Sequence, residues 1–362
     1  MSKPGNMLRL ARQLRGFPQN EAAECLRVPN AELSRVENLL KEPSEQLLAA
    51  AAEIYSVPVE FFGQTDNLYG PPVSVHPMWR KKASVSATEL HRIVAELNVR
   101  VMHLRKLLDA TDVEPVHKLP TFDADEYGND GERIAGLVRR FWQVPDGPIL
   151  DVTGLVEEAG ILVVHSDLGG SSVSGVRFSV PGMPHIIVLN RSQPADRMRF
   201  TLCHELGHIV MHKFPTPNME DEADAFASCF LLPTEDIRPA FVGRRVDLRL
   251  LASLKPEWKV SMASLVFAAK RTGALNATQA QYIWKQFNIH KIKLREPPEL
   301  DFPPEEPRTM SDLVSLHVND MGYTLADLST MLKMNEVEVA KTYDIDLPGD
   351  GKARRAHLRI IQ

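Results

Sequence analysis

The stretch that decides the fold is DRMRFTLCHELGHIVMHKF, residues 196–214. Apolar side chains dominate it on both sides of the pentapeptide HELGH, which predicts a buried helix. On a helix, His204 and His208 lie one turn apart on the same face, where both imidazoles can bind one divalent metal ion. Glu205 lies beside them and is not needed as a ligand, so we predict that it acts as a general base.

The two histidines leave a third metal ligand to be found, because a catalytic zinc ion takes three protein ligands and one water. His212 continues the same helix face. However, it lies about 12 Å along the helix axis from His204, too far for one ion with bonds of ~2 Å. A histidine in the last turn has another role available, which is to face the negative end of the helix dipole.

A second helix supplies better candidates for the third ligand. Asn218 can cap this helix, and its first turn carries Glu220 and Glu222, which a helical hairpin brings back beside the histidines. We predict Glu220 as the ligand, because Asp224 one turn later can hydrogen-bond the far nitrogen of a ligating histidine. Glu222 points about 160° away from Asp224 around the helix and is the competing candidate.

The site belongs to a wider set of residues that resembles the ImmA/IrrE family of zinc metallo-endopeptidases. The shared residues are Arg199-Phe200-Thr201 before HELGH, Glu220, Ala223, Asp224, Phe226, Ala227, Leu231-Leu232-Pro233, Ser174-Gly175 and residues 187–190. The resemblance implies a gluzincin-like α+β metallopeptidase domain that holds Zn²⁺ and serves regulation or stress response. Asp224 departs from the family, which more often has Asn there, and an Asp can make the same hydrogen bond.

The N-terminal region carries a second motif, PQNEAAECLRVPNAELSRVEN, at residues 18–38. Its apolar spacing predicts two short helices, residues 19–27 and 30–38, joined by a tight turn. The motif and the helical tail after it resemble the repressor-type (XRE-like) helix-turn-helix, through Gln19, Glu21, Ala23, Val28, Ser34, Glu37 and Asn38. The resemblance implies that Asn30, Ala31 and Arg35 face base edges. It places Gln19 and Asn38 near phosphates.

Two features of this motif weaken the expected affinity for DNA. Arg27 occupies the turn position where the family usually has glycine, and glutamates outnumber the basic side chains around it. The alternative is an α-helical interaction or dimerisation domain that no longer binds DNA. The most basic part of the chain lies further on, in residues 80–82 and the helix predicted over residues 87–109. That part is either a second DNA contact surface or a solvated helix face.

Composition sets limits on partners and location. The net charge of −5 over 362 residues gives no global attraction to nucleic acid, so any such binding must come from a local patch. The three cysteines form no CxxC pair, which is typical of reduced thiols in the cytosol. No apolar run approaches the ~18 residues of a membrane helix, so we expect a cytoplasmic protein without a membrane partner.

The chain order predicts an α+β protein with five segments. They are a helix-turn-helix domain (1–66), a linker and basic helix (67–120), a metallopeptidase domain with a small sheet (121–290), a Pro-rich acidic linker (291–308) and a small helical C-terminal domain (309–362). The last segment has helical spacing and is interpreted as a dimerisation bundle or a second small helix-turn-helix, so a homodimer is one expectation.

These patterns leave two functions open. The first is a regulatory zinc-dependent endopeptidase that cuts a specific protein partner, such as a repressor, and contacts DNA through its N-terminal domain. The second is a DNA-binding repressor or antitoxin whose metal domain senses or stabilises and does not cleave. A structural zinc site usually has four protein ligands, so a site with three indicates a catalytic zinc. An extended substrate is expected to pair with the strand predicted over residues 175–179.

Overall fold

The computed structural model describes residues 3–70, 86–111, 113–168, 173–343 and 345. Within them lie sixteen α-helices and three β-strands, which confirms the predicted α+β class. The helices are α1 Pro4–Leu14, α2 Gln19–Cys25, α3 Asn30–Glu37, α4 Glu45–Ile54, α5 Ala87–Asp109, α6 Gly131–Phe141, α7 Val152–Glu158, α8 Ala195–Met211, α9 Met219–Leu231, α10 Thr234–Phe241, α11 Leu248–Trp258, α12 Met262–Arg271, α13 Ala277–Ile289, α14 Thr309–Asn319, α15 Leu325–Leu332 and α16 Glu336–Tyr343. The strands are β1 Leu162–Ser166, β2 Gly175–Phe178 and β3 Ile186–Asn190.

Contacts divide the chain into two compact units. The first draws on residues within 1–114, 178–183 and 308–362, and the second on residues 115–177 and 184–307. Part of the predicted basic segment, residues 80–82, lies outside the described residues, as does the end of the predicted C-terminal domain from residue 346 onward. The predicted limits of the five segments stay a prediction.

The first unit begins with a bundle formed by α1 to α4. Apolar side chains from these helices form one core, to which the long helix α5 adds residues such as Val99 and Met102. The close packing of α1 on α3 depends on Gly5, because a Cβ there would lie only 2.2 Å from the Val36 carbonyl oxygen. A buried ion pair between Arg12 and Glu37 also joins these two helices, at 2.6 Å.

The end of α2, where the turn to α3 begins, differs from the prediction. Helix α2 ends at Cys25 rather than at residue 27, because Arg27 has a left-handed backbone with φ of 56°. Glycine adopts such a backbone without a steric penalty, whereas the Cβ of an arginine makes it costly. Arg27 is therefore the point of backbone strain in this turn.

The second unit contains a small sheet with the strand order β1-β3-β2. β1 and β3 are parallel, with Leu162 opposite Ile186, and β2 is at one edge. Strand β2 begins at residue 175, as predicted, and ends at Phe178, one residue before the predicted end and next to a serine. Helices α6 to α13 pack their apolar faces into one core with strands β1 and β3.

The acidic segment at residues 295–307, named here the acidic strap, is fixed to the second unit. Glu296 pairs with the fully buried Lys255, at 2.7 Å, and accepts a hydrogen bond from the Met262 backbone N–H, at 3.0 Å. Glu305 pairs with Arg199 of α8, whose side chain is 3% exposed. Because a buried cation requires a partner, these two glutamates hold the strap against the core.

None of the helices in the described residues is long and apolar enough to cross a membrane.

Candidate metal centre

Helix α8 carries both histidines of the HELGH motif. It is buried along most of its length, and Gly207 allows it to approach α9, since a Cβ at 207 would lie 3.0 Å from the Phe226 ring. The two rings point at one position, with their Nε2 atoms 3.1 Å apart. His208 is almost fully buried, whereas His204 is 15% exposed at its side chain.

Helix α9 brings Glu220 to the same position. One carboxylate oxygen lies 3.5 Å from Nε2 of His204, and the other lies 3.5 Å from Nε2 of His208. One ligand atom from each of the three residues fits within 4.8 Å of the others, which is close enough to surround a single ion. Asn218 is the N-cap residue of α9, but its side chain makes no capping hydrogen bond. The expected capping by Asn218 is therefore wrong, while the turn it begins is in place.

Each histidine has a second partner behind it. Nδ1 of His204 lies 2.8 Å from the Asp224 carboxylate, as the one-turn spacing on α9 predicts. Nδ1 of His208 lies 2.9 Å from Nδ1 of His212, and Nε2 of His212 lies 2.9 Å from the Glu222 carboxylate. Partners of this kind fix the orientation and the tautomer of a ligating imidazole.

The expected roles of His212 and Glu222 need correction. Helix α8 ends at Met211, and His212 is its C-cap with φ of −111° and ψ of 88°. Its ring bonds to other side chains rather than facing the end of the helix dipole. Glu222, the competing candidate, is not among the three residues that converge, and its carboxylate contacts His212 instead.

Charge is distributed unevenly over the three predicted ligands. Burial acts to lower the pKa of His204, but its interactions with Asp224 and Glu220 outweigh this and raise the pKa to about 10. Burial and the neighbouring His204 lower the pKa of His208 to about 3. The interaction with His204 lowers the pKa of Glu220. The carboxylates thus create a position of negative potential that a proton or a divalent cation can neutralise.

Glu205 is placed beside the ligand position, and one of its two carboxylate oxygens has no hydrogen-bond partner among the described residues. It is 5% exposed, and burial raises the pKa of its carboxyl, although His204 and Arg177 act in the opposite direction. Among the described residues, no hydrogen-bond partner reaches its buried Oε2. An orphaned carboxylate oxygen beside two histidines and the Glu220 carboxylate fits a site that holds a metal ion and a water.

Arg177 on β2 is a site residue that sequence analysis missed. Residues 175 and 177 face the same side of the strand, and a Cβ at Gly175 would lie 2.6 Å from Cγ2 of Thr201, one turn before Glu205. This side of β2 therefore packs on α8. Burial lowers the pKa of Arg177, and the charges of Glu205 and Glu220 act against that effect. The sequence gives one indication of this role, which is that Arg177 lies two residues after Gly175 and so on the same side of β2.

The residues predicted to contact DNA lie on or beside α2 and α3. Asn30, Ala31, Arg35 and Asn38 are exposed, and the first three share helix α3. Gln19, at the start of α2, donates a hydrogen bond to the Glu37 carboxylate at 2.8 Å. The amide of Asn38 donates to the Ser34 carbonyl, at 2.9 Å. Their contacts with bases and phosphates stay a prediction.

Comparison with known families agrees with this arrangement. Residues 156–270 match the peptidase M78 family model, described as the IrrE N-terminal-like domain. Residues 8–62 match a helix-turn-helix model. The predicted fusion of these two domains is thereby confirmed, and it supports DNA binding and a regulatory role. A search of curated proteins found no match to the chain.

Proposed function

We propose that this protein is a regulatory zinc-dependent endopeptidase coupled to a DNA-binding domain, and that it hydrolyses a specific protein partner such as a repressor. One observation carries the proposal. Ligand atoms of His204, His208 and Glu220 lie within 4.8 Å of one another. Glu205, whose buried carboxylate oxygen has no hydrogen-bond partner among the described residues, lies on the same helix as the two histidines. A purely structural zinc site favours four protein ligands, whereas the described residues offer three that converge.

His204, His208 and Glu220 would hold the zinc ion, and Asp224 would orient His204. When bound, the ion supplies Lewis-acid polarisation of water and of the scissile carbonyl. Glu205 accepts the proton that the attacking water loses and then donates it to the leaving amine. Burial raises the pKa of its carboxyl, which suits a group that must both accept and return a proton.

The sheet edge would hold the substrate. β2 is an edge strand, and an extended peptide can add to such a strand through main-chain hydrogen bonds. Arg177 would then donate to the carbonyl oxygen on which negative charge develops, since it lies on the side of β2 that packs on α8. A peptide-bound structure without main-chain pairing to residues 175–179 would contradict this placement.

Glu205→Gln in the native host tests the proposal. Gln keeps the size of the side chain and cannot serve as a base, so we expect cleavage of the partner to stop while folding and zinc content stay unchanged. A proteome-wide search for new N-termini that depend on Glu205 would identify the partner. Glu235→Gln is the matched control, because Glu235 is 79% exposed in the same unit. Equal cleavage by the wild type and the Glu205 variant would refute the proposed peptidase activity.

The exposed face of α3 favours a second function, a DNA-binding repressor or antitoxin in which the metal domain does not cleave. Asn30, Ala31 and Arg35 lie on this face. Gel shifts with the upstream DNA test it, with Arg35→Ala as the comparison. A salt-sensitive shift that Arg35→Ala weakens would support DNA binding, and no shift with the wild type would exclude it for that DNA.

A further inference from the structure

Behind His208 lies a buried chain of side chains that ends in a carboxylate. His212 bridges His208 and Glu222, with both contacts at 2.9 Å. The side chain of His212 is 1% exposed and that of Glu222 is 9% exposed. Burial of a carboxylate and an imidazole is costly unless they are hydrogen-bonded, so an arrangement that satisfies both has a structural or functional reason.

The proton positions in this chain follow from the role of His208. An imidazole that uses the Nε2 lone pair for a metal carries its proton on Nδ1. Nδ1–H of His208 must then donate to Nδ1 of His212, which leaves the proton of His212 on Nε2. That N–H donates to the Glu222 carboxylate. Each donor in the chain thus meets an acceptor, and the sequence of bonds has a single direction from the metal ligand to the carboxylate.

We propose that His212 and Glu222 form a relay that fixes the tautomer and orientation of His208 as a metal ligand, an inference that rests on the metal site proposed above. The relay makes both residues positioning residues, which touch neither substrate nor metal. It extends the carboxylate–histidine–metal arrangement by one imidazole.

The two histidine ligands are therefore supported in different ways. His204 contacts the Asp224 carboxylate directly, and that side chain is 60% exposed. His208 reaches its carboxylate through His212, away from solvent. Because hydrogen bonds are electrostatically stronger in a low dielectric, the buried branch contributes more to metal affinity than the exposed one.

Zinc affinity of the purified full-length protein, measured by competition with a chromophoric chelator, tests the relay. Loss of an outer-shell partner lowers metal affinity about 10–100-fold, and we expect that loss for His212→Phe and for Glu222→Leu. His212→Gln offers an amide oxygen to His208 and an amide N–H to Glu222, so it should keep most of the affinity. Glu222→Gln keeps the acceptor and removes the charge, with an expected loss of about five-fold.

Combined variants separate the two branches. His212→Phe with Glu222→Leu should lose no more affinity than either change alone, because both interrupt the same chain. His212→Phe with Asp224→Ala should lose the product of the two single losses, because these residues support different ligands. Full additivity between positions 212 and 222 would overturn the relay.

The outcomes also distinguish the relay from the proposed function. A wild-type protein that binds no stoichiometric zinc would refute the metal site itself. A wild type that binds zinc, with His212→Phe and Glu222→Leu binding it equally well, would refute the relay alone. A lower melting temperature of the metal-free variants with unchanged zinc affinity would also refute it, because that result indicates packing only. If His212→Phe fails to fold, the zinc affinities of His212→Gln and Glu222→Gln test the relay. Equal affinity of these two variants would then refute it.

Discussion

Two glycines of helix α6 give a paired prediction with opposite signs. At Gly131, a Cβ would lie 2.4 Å from the Glu222 carbonyl oxygen and 2.8 Å from the Phe226 backbone nitrogen. Both atoms belong to the backbone of α9, which cannot move without displacing the helix. At Gly136 the nearest atom to a Cβ is Nη1 of Arg140, at 3.6 Å, which is an ordinary contact.

Gly131→Ala forces α6 and α9 apart. Overpacking of this kind costs about 1–3 kcal/mol. Alanine returns up to about 1 kcal/mol of helix propensity, and less in the first turn, where Gly131 lies. The net expectation is a destabilisation of about 1–2 kcal/mol. Gly136→Ala gains the propensity without the overpacking, so it should stabilise the same unit by about 0.5–1 kcal/mol.

Urea unfolding followed by far-UV circular dichroism measures both variants against the wild type under identical conditions. Zinc affinity is a second readout, because displacement of α9 at Glu222 moves the residue that supports His212. The reasoning is refuted if Gly131→Ala is as stable as the wild type, or if both substitutions change the midpoint in the same direction.

Three further predictions concern other parts of the chain. Arg27→Gly relieves a left-handed backbone and adds chain entropy to the unfolded state, so we expect a gain of about 0.5 kcal/mol in unfolding experiments; a loss of stability would contradict the strain at this turn. Glu305→Ala removes the carboxylate that pairs with the buried Arg199, which keeps its hydrogen bond to the Ile149 carbonyl, and should cost about 3–5 kcal/mol. Glu306→Ala, at a side chain 76% exposed, should change stability by less than about 0.5 kcal/mol. Burial lowers the pKa of His103 to about 3, so the contribution of its neutral ring to stability is complete above about pH 6.5 and is lost as the pH falls toward 3. His103→Gln should therefore reduce the slope of the unfolding free energy against pH in that range by about one proton. An unchanged slope would argue against a neutral buried ring.

The sequence was sufficient for the parts of the site that depend on local spacing. The HELGH helix, the start of α9 and strand β2 follow from periodicity and from glycine, proline and serine signals, although Asn218 makes no capping hydrogen bond. Glu220 and Asp224 meet the histidines because a helical hairpin returns the chain to the same place. Their assignment as ligand and support stays a prediction that the zinc measurements test.

Other contacts depend on tertiary structure that spacing does not contain. The distance along the helix separates His212 from His204, but it does not determine where a side chain points at the residue after α8 ends. Glu222 was compared with Asp224 on one helix, whereas its partner lies on another. The acidic strap has the composition of a linker, and its pairing with Lys255 and Arg199 joins residues far apart in sequence.

The acidic strap also determines where the second unit can be separated from the rest of the chain. A fragment that ended after α13 would contain every residue of the metal centre but would leave Lys255 and Arg199 without Glu296 and Glu305. Asp196 would be the remaining carboxylate beside Lys255. An expression fragment intended for crystallisation therefore needs to extend through residue 307. For the same reason, a protease that cut within the strap would expose two buried cations and weaken the helix that carries the histidines.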